Sequence, residues 1–387
     1  MKQIFLSVAV AALFLTSCGK DDDPITETPT EENLSGDLST ERTLNANTTY
    51  TLTGSLKVKN GGKLRIPAGT VIKAEKGFDK YILVEQGGQI FVNGTAEKPV
   101  KMTSAAATPA PGDWGGLVIN GKAKISGAAG QTPTGTTEID PTVPYGGGDD
   151  ADNSGVIEYL TLEFTGSKSS ADIEHNGLTL NGVGSGTKIE NVYIPYSADD
   201  GVEFFGGAVN VKNILVVNSD DDMFDATQGW RGTLDNAYGV WQVNTIDPTG
   251  KSVPFTSNEA DPRGAELDGN LDGNTPADIN QSNFKFQNIT IVNKSAFPMQ
   301  DAVKVRRGAT AAITNLLVKG TTCTDLIDLT DGKGTGNIAT NISFKKDITV
   351  SGTEINLGTA IGATVTANAA NTGASSSSFG WTGFSDF

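Results

Sequence analysis

The sequence predicts an all-β chain, a right-handed parallel β-helix set behind an N-terminal export signal and a tether. Three observations predict it. Asparagine recurs just before a short apolar strand at Asn191, Asn213, Asn236, Asn288, Asn315 and Asn341, in steps of 22, 23, 52, 27 and 26 residues. The strands that follow, such as Val192-Tyr193-Ile194, Ile214-Leu215-Val216-Val217 and Ile289-Thr290-Ile291-Val292, are β-branched and bounded by polar or glycine turns. No stretch carries a sustained helical period with caps, and 47 glycines with few aromatics point to many tight turns. A repeat in the low twenties without helices indicates a solenoid whose coils each supply a few short strands and stack on the next. Equivalent asparagines then lie about 4.8 Å apart and hydrogen-bond along a ladder.

The elements follow in chain order. Lys2, the apolar run from Ile4 to Leu15 and the small residues after it read as a secretory signal peptide over residues 1–17. The run is shorter than the ~20 residues of a membrane span. Leu15-Thr16-Ser17-Cys18 resembles a lipobox, which implies that Cys18 becomes the first mature residue and carries the acyl chains of an outer-membrane anchor. Gly19-Lys20-Asp21-Asp22-Asp23 is similar to the signals that send lipoproteins of Bacteroidota to the cell surface. Residues 18–45, rich in Asp, Glu, Thr and Pro, have too few large apolar groups to offset their ordering entropy and are predicted as a flexible tether.

The solenoid is predicted over residues 46–350. Leu56-Lys57-Val58, Gly61-Gly62 and Leu64-Arg65-Ile66 share their grammar with Ile82-Leu83-Val84, Gly87-Gly88 and Ile90-Phe91-Val92, and Trp114-Gly115-Gly116-Leu117 opens a third unit. An insertion is expected at about 247–283, hanging over one face. Residues 351–387 are expected to form a last coil and a cap, with Phe379, Trp381 and Phe384 folded over its open end.

Charge and cysteine content narrow the function. Lys and Arg total 29 against 45 Asp and Glu, a net charge of -16, so nucleic acid is excluded as a partner by phosphate repulsion. Cys323 is the one cysteine besides Cys18, which leaves no disulfide for the mature domain. Cys323 reads as a small buried residue, and the sole histidine, His175, as a hydrogen-bonding turn residue.

Several motifs together resemble a known family. Ile66-Pro67-Ala68-Gly69-Thr70-Val71-Ile72-Lys73, Gly112-Asp113-Trp114-Gly115-Gly116, Asn181-Gly182-Val183-Gly184-Ser185-Gly186-Thr187, Asp199-Asp200-Gly201-Val202-Glu203-Phe204-Phe205-Gly206-Gly207 and Gly380-Trp381-Thr382-Gly383-Phe384 are its elements here. They resemble Bacteroidota β-helix lipoproteins of pectin-lyase-like fold. The resemblance implies fold and location, and it carries no settled activity.

One constellation has the makings of chemistry. The element Asp-x-apolar-x recurs as Asp200-Gly201-Val202-Glu203, Asp222-Met223-Phe224-Asp225, Asp301-Ala302-Val303-Lys304 and Asp325-Leu326-Ile327-Asp328, with Arg263-Gly264-Ala265-Glu266 as a further member. Strand alternation puts Val202, Phe224 and Val303 inside, and Glu203, Asp225, Glu266, Lys304 and Asp328 outside in one column after Thr179. Carboxylates about 5 Å apart repel and hold each other's protons unless a cation neutralises them. Three readings stand open: a screened polar face, a calcium site on Asp200, Glu203, Asp222, Asp225 and Glu266, or catalysis. The catalytic reading has two versions. In a calcium-dependent polysaccharide lyase, Glu203, Asp225 and Glu266 hold the ion, Lys304 is the base and Arg306 steadies the enolate; in a glycoside hydrolase, paired carboxylates such as Glu203 and Asp225 act one as acid and the other as base or nucleophile. Trp230, Trp241 and Arg263 are candidates for contact with a sugar. The overall expectation is a surface-anchored protein that binds a glycan or an outer-membrane partner, with polysaccharide cleavage as the alternative.

Overall fold

The computed structural model describes residues 30–170, 173–271 and 278–387. The signal peptide, Cys18, the charged run at 19–23, Asp272 and Gly273 lie outside them. Among the described residues, 23 strands join in one sheet, and every pairing within it is parallel. Among the described residues the one helical segment, Ser376–Thr382, is 3₁₀, and no helix there is long and apolar enough to cross a membrane.

Each coil contributes strands to three faces. One face runs from Leu56–Val58 through Ile82–Val84, Leu117–Asn120, Leu178–Asn181, Val202–Phe205, Phe224–Thr227 and Ala265–Asp268 to Lys304 and Asp328. Its inward residues Leu56, Ile82, Leu117, Leu178, Val202, Phe224, Ala265, Val303 and Ile327 lie one above another, all buried in a single continuous core. Burying such a column contributes about 1.5–3 kcal/mol per large apolar side chain.

The asparagines hold a corner between the other two faces. Asn191, Asn213, Asn236, Asn288 and Asn315 adopt left-handed φ values between 54° and 59°. Asparagine tolerates that conformation better than other non-glycine residues. Their amides also form the expected ladder: Asn213 Nδ2 donates to Asn191 Oδ1 at 2.9 Å, Asn236 to Asn213 at 2.7 Å and Asn315 to Asn288 at 2.8 Å. The ladder jogs once, where Asn288 donates instead to Asp235 Oδ1 at 2.7 Å. Asn341 does not belong to it. It pairs with Ala312 at the start of a strand, and a register shift between Ile313 and Leu316 hands its corner to Ser343.

Three boundaries differ from expectation. The tether does not extend to residue 45, because Thr30–Leu38 pairs with Thr48–Val58 and Glu41–Thr43 pairs with Lys63–Pro67. Leu34 and Leu44, though sparse, are enough to bury this first coil against the second. The insertion at 247–283 is not one loop, because Ala265–Asp268 returns to the sheet in its middle. A second excursion over residues 121–153, not foreseen, carries the hairpin Gly135–Thr137/Asp140–Tyr145 and meets the later insertion where Gly127–Ala128 pairs with Asp278–Ile279.

The C-terminal aromatics do not cover the open end. Residues 371–387 fold back along the flank of the solenoid. Gly373 N–H donates to Asn315 Oδ1 at 3.1 Å and Ser375 N–H to Asn236 Oδ1 at 2.6 Å, so the tail uses the free acceptors of the ladder. Phe379 is fully buried against Leu215, Val217, Tyr238, Val240 and Val292, on coils far upstream. The tail therefore straps several coils together. Phe379→Ala should cost about 3–5 kcal/mol in urea unfolding, and an unchanged midpoint would show that the strap carries no stability.

Candidate functional site

The outward column on the face described above is the core of the site. Its register runs Leu83, Val118, Thr179, Glu203, Asp225, Glu266, Lys304 and Asp328, one residue per coil. The column is apolar at its N-terminal end, acidic in the middle and ion-paired at its C-terminal end. It is walled rather than open. The hairpins Gly135–Thr137/Asp140–Tyr145 and Lys168–Ser170/Ile173–Glu174 and the 255–263 segment wall it, and Lys168 ties the second hairpin to Glu259 at 2.5 Å.

The middle of the column forms an acidic cleft of about 230 Å³. Asp199, Asp200, Asp221 and Asp222 from the coil corners line it with Glu203, Asp225 and Glu266 from the strands; Glu138, Glu174 and Asp261 close its rim. Against these ten carboxylates stand two guanidinium groups, Arg263 and Arg306. Arg263 is almost fully buried, and it pairs with Glu266, Asp261 and, at 3.0 Å, Asp301. Arg306 pairs with Glu266, with Asp268 at 2.6 Å and with Asp331 at 3.2 Å. Lys168 spreads one ammonium over Glu174, Asp199 and Glu259 at 2.5–3.3 Å.

These cations leave part of the cleft uncompensated. Among the described residues, Asp200, Glu203, Asp222 and Asp225 form no ion pair. Asp200 Oδ1 accepts the Asp222 N–H at 2.9 Å, Glu203 Oε2 accepts Asn176 Nδ2 at 2.6 Å, and Asp222 Oδ1 accepts the Arg263 N–H at 2.6 Å. Asp225 Oδ1 is buried with no hydrogen-bond partner. Burial, then the neighbouring carboxylates, pushes the pKa values of Asp200, Glu203, Asp222 and Asp225 well up. Asp221 is raised to about 7 and Asp268 to about 6 by the same causes.

The oxygen geometry suits a hard cation. One oxygen each from Asp200, Glu203 and Asp225 lies within 4.8 Å of the other two, and the same holds for Asp222, Asp225 and Glu266. Calcium–oxygen distances of 2.3–2.6 Å let two ligands of one ion lie up to roughly 5 Å apart, so each trio can close on one calcium. Asp225 belongs to both.

Other candidates take different places. Lys304 is held by Asp328 at 2.5 Å and lies next to Asp301, one coil beyond the cleft, so it is not placed as a free base. Arg306 reaches the cleft but is spent on three carboxylates. Trp230 and Trp241 are fully buried and contact no surface. Trp230 stacks on Phe204 with ring centroids 4.1 Å apart, and Trp241 on Phe255 at 5.1 Å. Both belong to the continuous apolar core, and the sequence alone did not separate that from a sugar platform. Asp268 is paired with Arg306 and Arg307. His175 is buried between Phe78 and Tyr81, shares a hydrogen bond with Phe78 O at 3.0 Å and has its pKa lowered by burial to about 4. A Cβ on Gly115 would meet its ring at 2.6 Å, so that glycine makes room for it. Cys323 is buried, its thiol pushed up to about 12.

Sequence reasoning missed one neighbour of the cleft. Val118, Ile139, Tyr145 and Phe205 enclose an apolar pocket of about 280 Å³, and Glu138 and Glu174 belong to both cavities. Five of its twelve lining residues come from the 135–145 hairpin, for which the repeat pattern offered no signal.

The raised carboxyl pKa values fix the sign of a pH effect. A carboxyl that holds its proton more tightly when folded favours the fold at low pH and loses that contribution as pH rises through its folded pKa. Asp221 and Asp268 set the window at roughly pH 4–7. His175 acts oppositely, since its neutral form favours the fold and is lost below about pH 6.5 in the unfolded chain. The carboxyls outnumber it. In chelator-treated protein the melting temperature should therefore rise as pH falls from 8 to about 5, and Asp221→Asn/Asp225→Asn should flatten that slope. A melting temperature that falls over this range in the parent protein would contradict the uncompensated cleft.

Comparison with known proteins supplies the family. Residues 36–382 match the family described as Pectate-lyase like beta helix domain. No curated protein matches the chain in sequence. Among solved structures, the catalytic domain of a GH87 alpha-1,3-glucanase in complex with nigerose aligns at 13% identity with a TM-score of 0.32, covering 89% of this chain. This chain spans 64% of that glucanase chain. The endo-xylogalacturonan hydrolase from Aspergillus tubingensis aligns at 14% identity with a TM-score of 0.37, over 86% of this chain and 92% of that one. Built of parallel coils and matched over most of its length, the chain belongs to the family of pectate-lyase-like β-helix domains.

Proposed function

We propose that this protein is a lipid-anchored, cation-dependent binding protein for an extracellular glycan, with Cys18 as the anchor and the walled column as the binding groove. The observation that carries the reading is the convergence of Asp200, Glu203 and Asp225 on adjacent coils without a cationic side chain between them. Calcium on these carboxylates removes their mutual repulsion, and a bound ion with open coordination positions offers them to sugar hydroxyls. The apolar pocket alongside supplies the apolar contact that a sugar ring needs. An outer-membrane receptor remains the competing occupant of the same face. A uronate-cleaving lyase is disfavoured, because its candidate base Lys304 is tied to Asp328.

Hydrolysis of a glycoside is the second reading, and one observation favours it. Asp221, held near neutral pH, stands among carboxyls of differing environment, as an acid and base pair requires. Release of reducing ends from a neutral glucan, lost in both Glu203→Gln and Asp221→Asn, would put hydrolysis first.

Calcium titration tests the main reading. At 100 times its dissociation constant, calcium should add about 2.7 kcal/mol to stability, read as a rise in melting temperature that Asp225→Asn abolishes. Absence of any rise in the parent protein would remove the cation from the site. The anchor has its own check. In a bacterium that processes lipoproteins, labelled palmitate should enter the parent protein and not Cys18→Ser, and equal labelling of both would place the lipid elsewhere or nowhere.

A further inference from the structure

We infer that the apolar pocket takes the ring of an amino sugar with a free ammonium group, which docks on Glu138 and Glu174. This deepens the glycan-binding reading and rests on it. The pocket's volume of about 280 Å³ sits at the lower end of ligand cavities, ~300 Å³, and suits one ring rather than an oligomer. Its walls offer the two things such a ring presents. Tyr145 and Phe205, with ring centroids 6.5 Å apart, and the side chains of Val118 and Ile139 make an apolar surface for the ring carbons. Thr136, Thr179 and Asn181 add polar atoms for hydroxyl groups.

Charge decides the class. Glu138 and Glu174 are the only charged residues that line the pocket among the described residues, and both also line the acidic cleft. Their hairpins are locked together, since the Glu174 N–H donates to Glu138 Oε1 at 2.9 Å. One cation, Lys168, touches Glu174, and it is shared with Asp199 and Glu259. The pocket rim therefore carries net negative charge and opens toward more of it, which repels uronates and sulfated sugars. A metal ion does not suit this end, because it needs six to eight oxygen ligands and finds aromatic and aliphatic walls. An ammonium on a ring carbon suits it well. It meets two carboxylates, while the neighbouring aromatic faces attract cations.

The occupant is tested by calorimetry on the mature domain with three trisaccharides: the trimer of glucosamine, its fully N-acetylated form and a neutral glucose trimer. Each is titrated with chelator and with calcium, at a pH below about 7, where a sugar amine is protonated. The free amine should bind at least about tenfold tighter than the other two, a difference of ~1.4 kcal/mol. Glu138→Gln should erase most of that preference. Thr136→Trp, at an exposed hairpin position on the mouth, should weaken all three. Thr136→Trp should keep the calcium-dependent rise in melting temperature, which marks an intact cleft and fold. Equal affinity for the amine and the N-acetylated or neutral trimer, no binding of any trimer, or binding unaffected by Thr136→Trp would each overturn the proposal. Amine preference without a calcium response would overturn the cation reading of the cleft and leave this site standing. A calcium response without trimer binding would do the reverse.

Discussion

In-register parallel stacking is the constraint on which the rest of this molecule depends. Each residue on a face has the equivalent residue of the next coil about 4.8 Å above it. Whatever a position does in one coil is therefore repeated against itself. For Val202, Phe224 and Ala265 that repetition builds a core. For the asparagines it builds a ladder of amides. For Glu203, Asp225 and Glu266 it sets carboxylate against carboxylate.

The corner shows how local conformation and stacking support each other. A left-handed residue turns the chain from one face to the next, and asparagine accepts that conformation while offering one donor and one acceptor along the axis. An alanine there would meet the backbone demand poorly and break the ladder. The scheme is not limited to asparagine, because Tyr159 holds the same left-handed corner at φ 53°. At the far end the ladder would leave acceptors unmatched, and the C-terminal tail supplies N–H groups from residues 372, 373 and 375 to fill them. One feature thus closes the repeat and positions Phe379 on the flank.

The acidic cleft stands in tension with the fold that makes it. Further along the column the same geometry is settled by opposite charges, with Lys304 over Glu266 and under Asp328. In the middle, Arg263 and Arg306 attend to Glu266, Asp268 and Asp301 and leave Asp200, Glu203 and Asp225 to each other. Repulsion confined to one stretch of an otherwise compensated column, and walled by three insertions, is the arrangement expected where a cationic ligand completes the structure. A screened surface face would have no reason to be walled.

The repeat, the inward and outward assignment of the column and the pairing of Glu203 with Asp225 were legible from spacing alone, because a 22-residue step recurs in the asparagines and the acids together. Period-two alternation then decides which side chains point out. The burial of Trp230 and Trp241, the commitment of Lys304 to Asp328 and the early start of the first coil at Thr30 were not legible. Each depends on partners brought in from other coils. The sequence by itself determined the coil, its core and its acidic stripe, since these follow from local periodicity. Only the tertiary structure decided that the stripe is a cleft. Its walls come from hairpins at 135–145 and 168–174 and from residues 255–263, whose positions depend on long-range contacts that no repeat encodes.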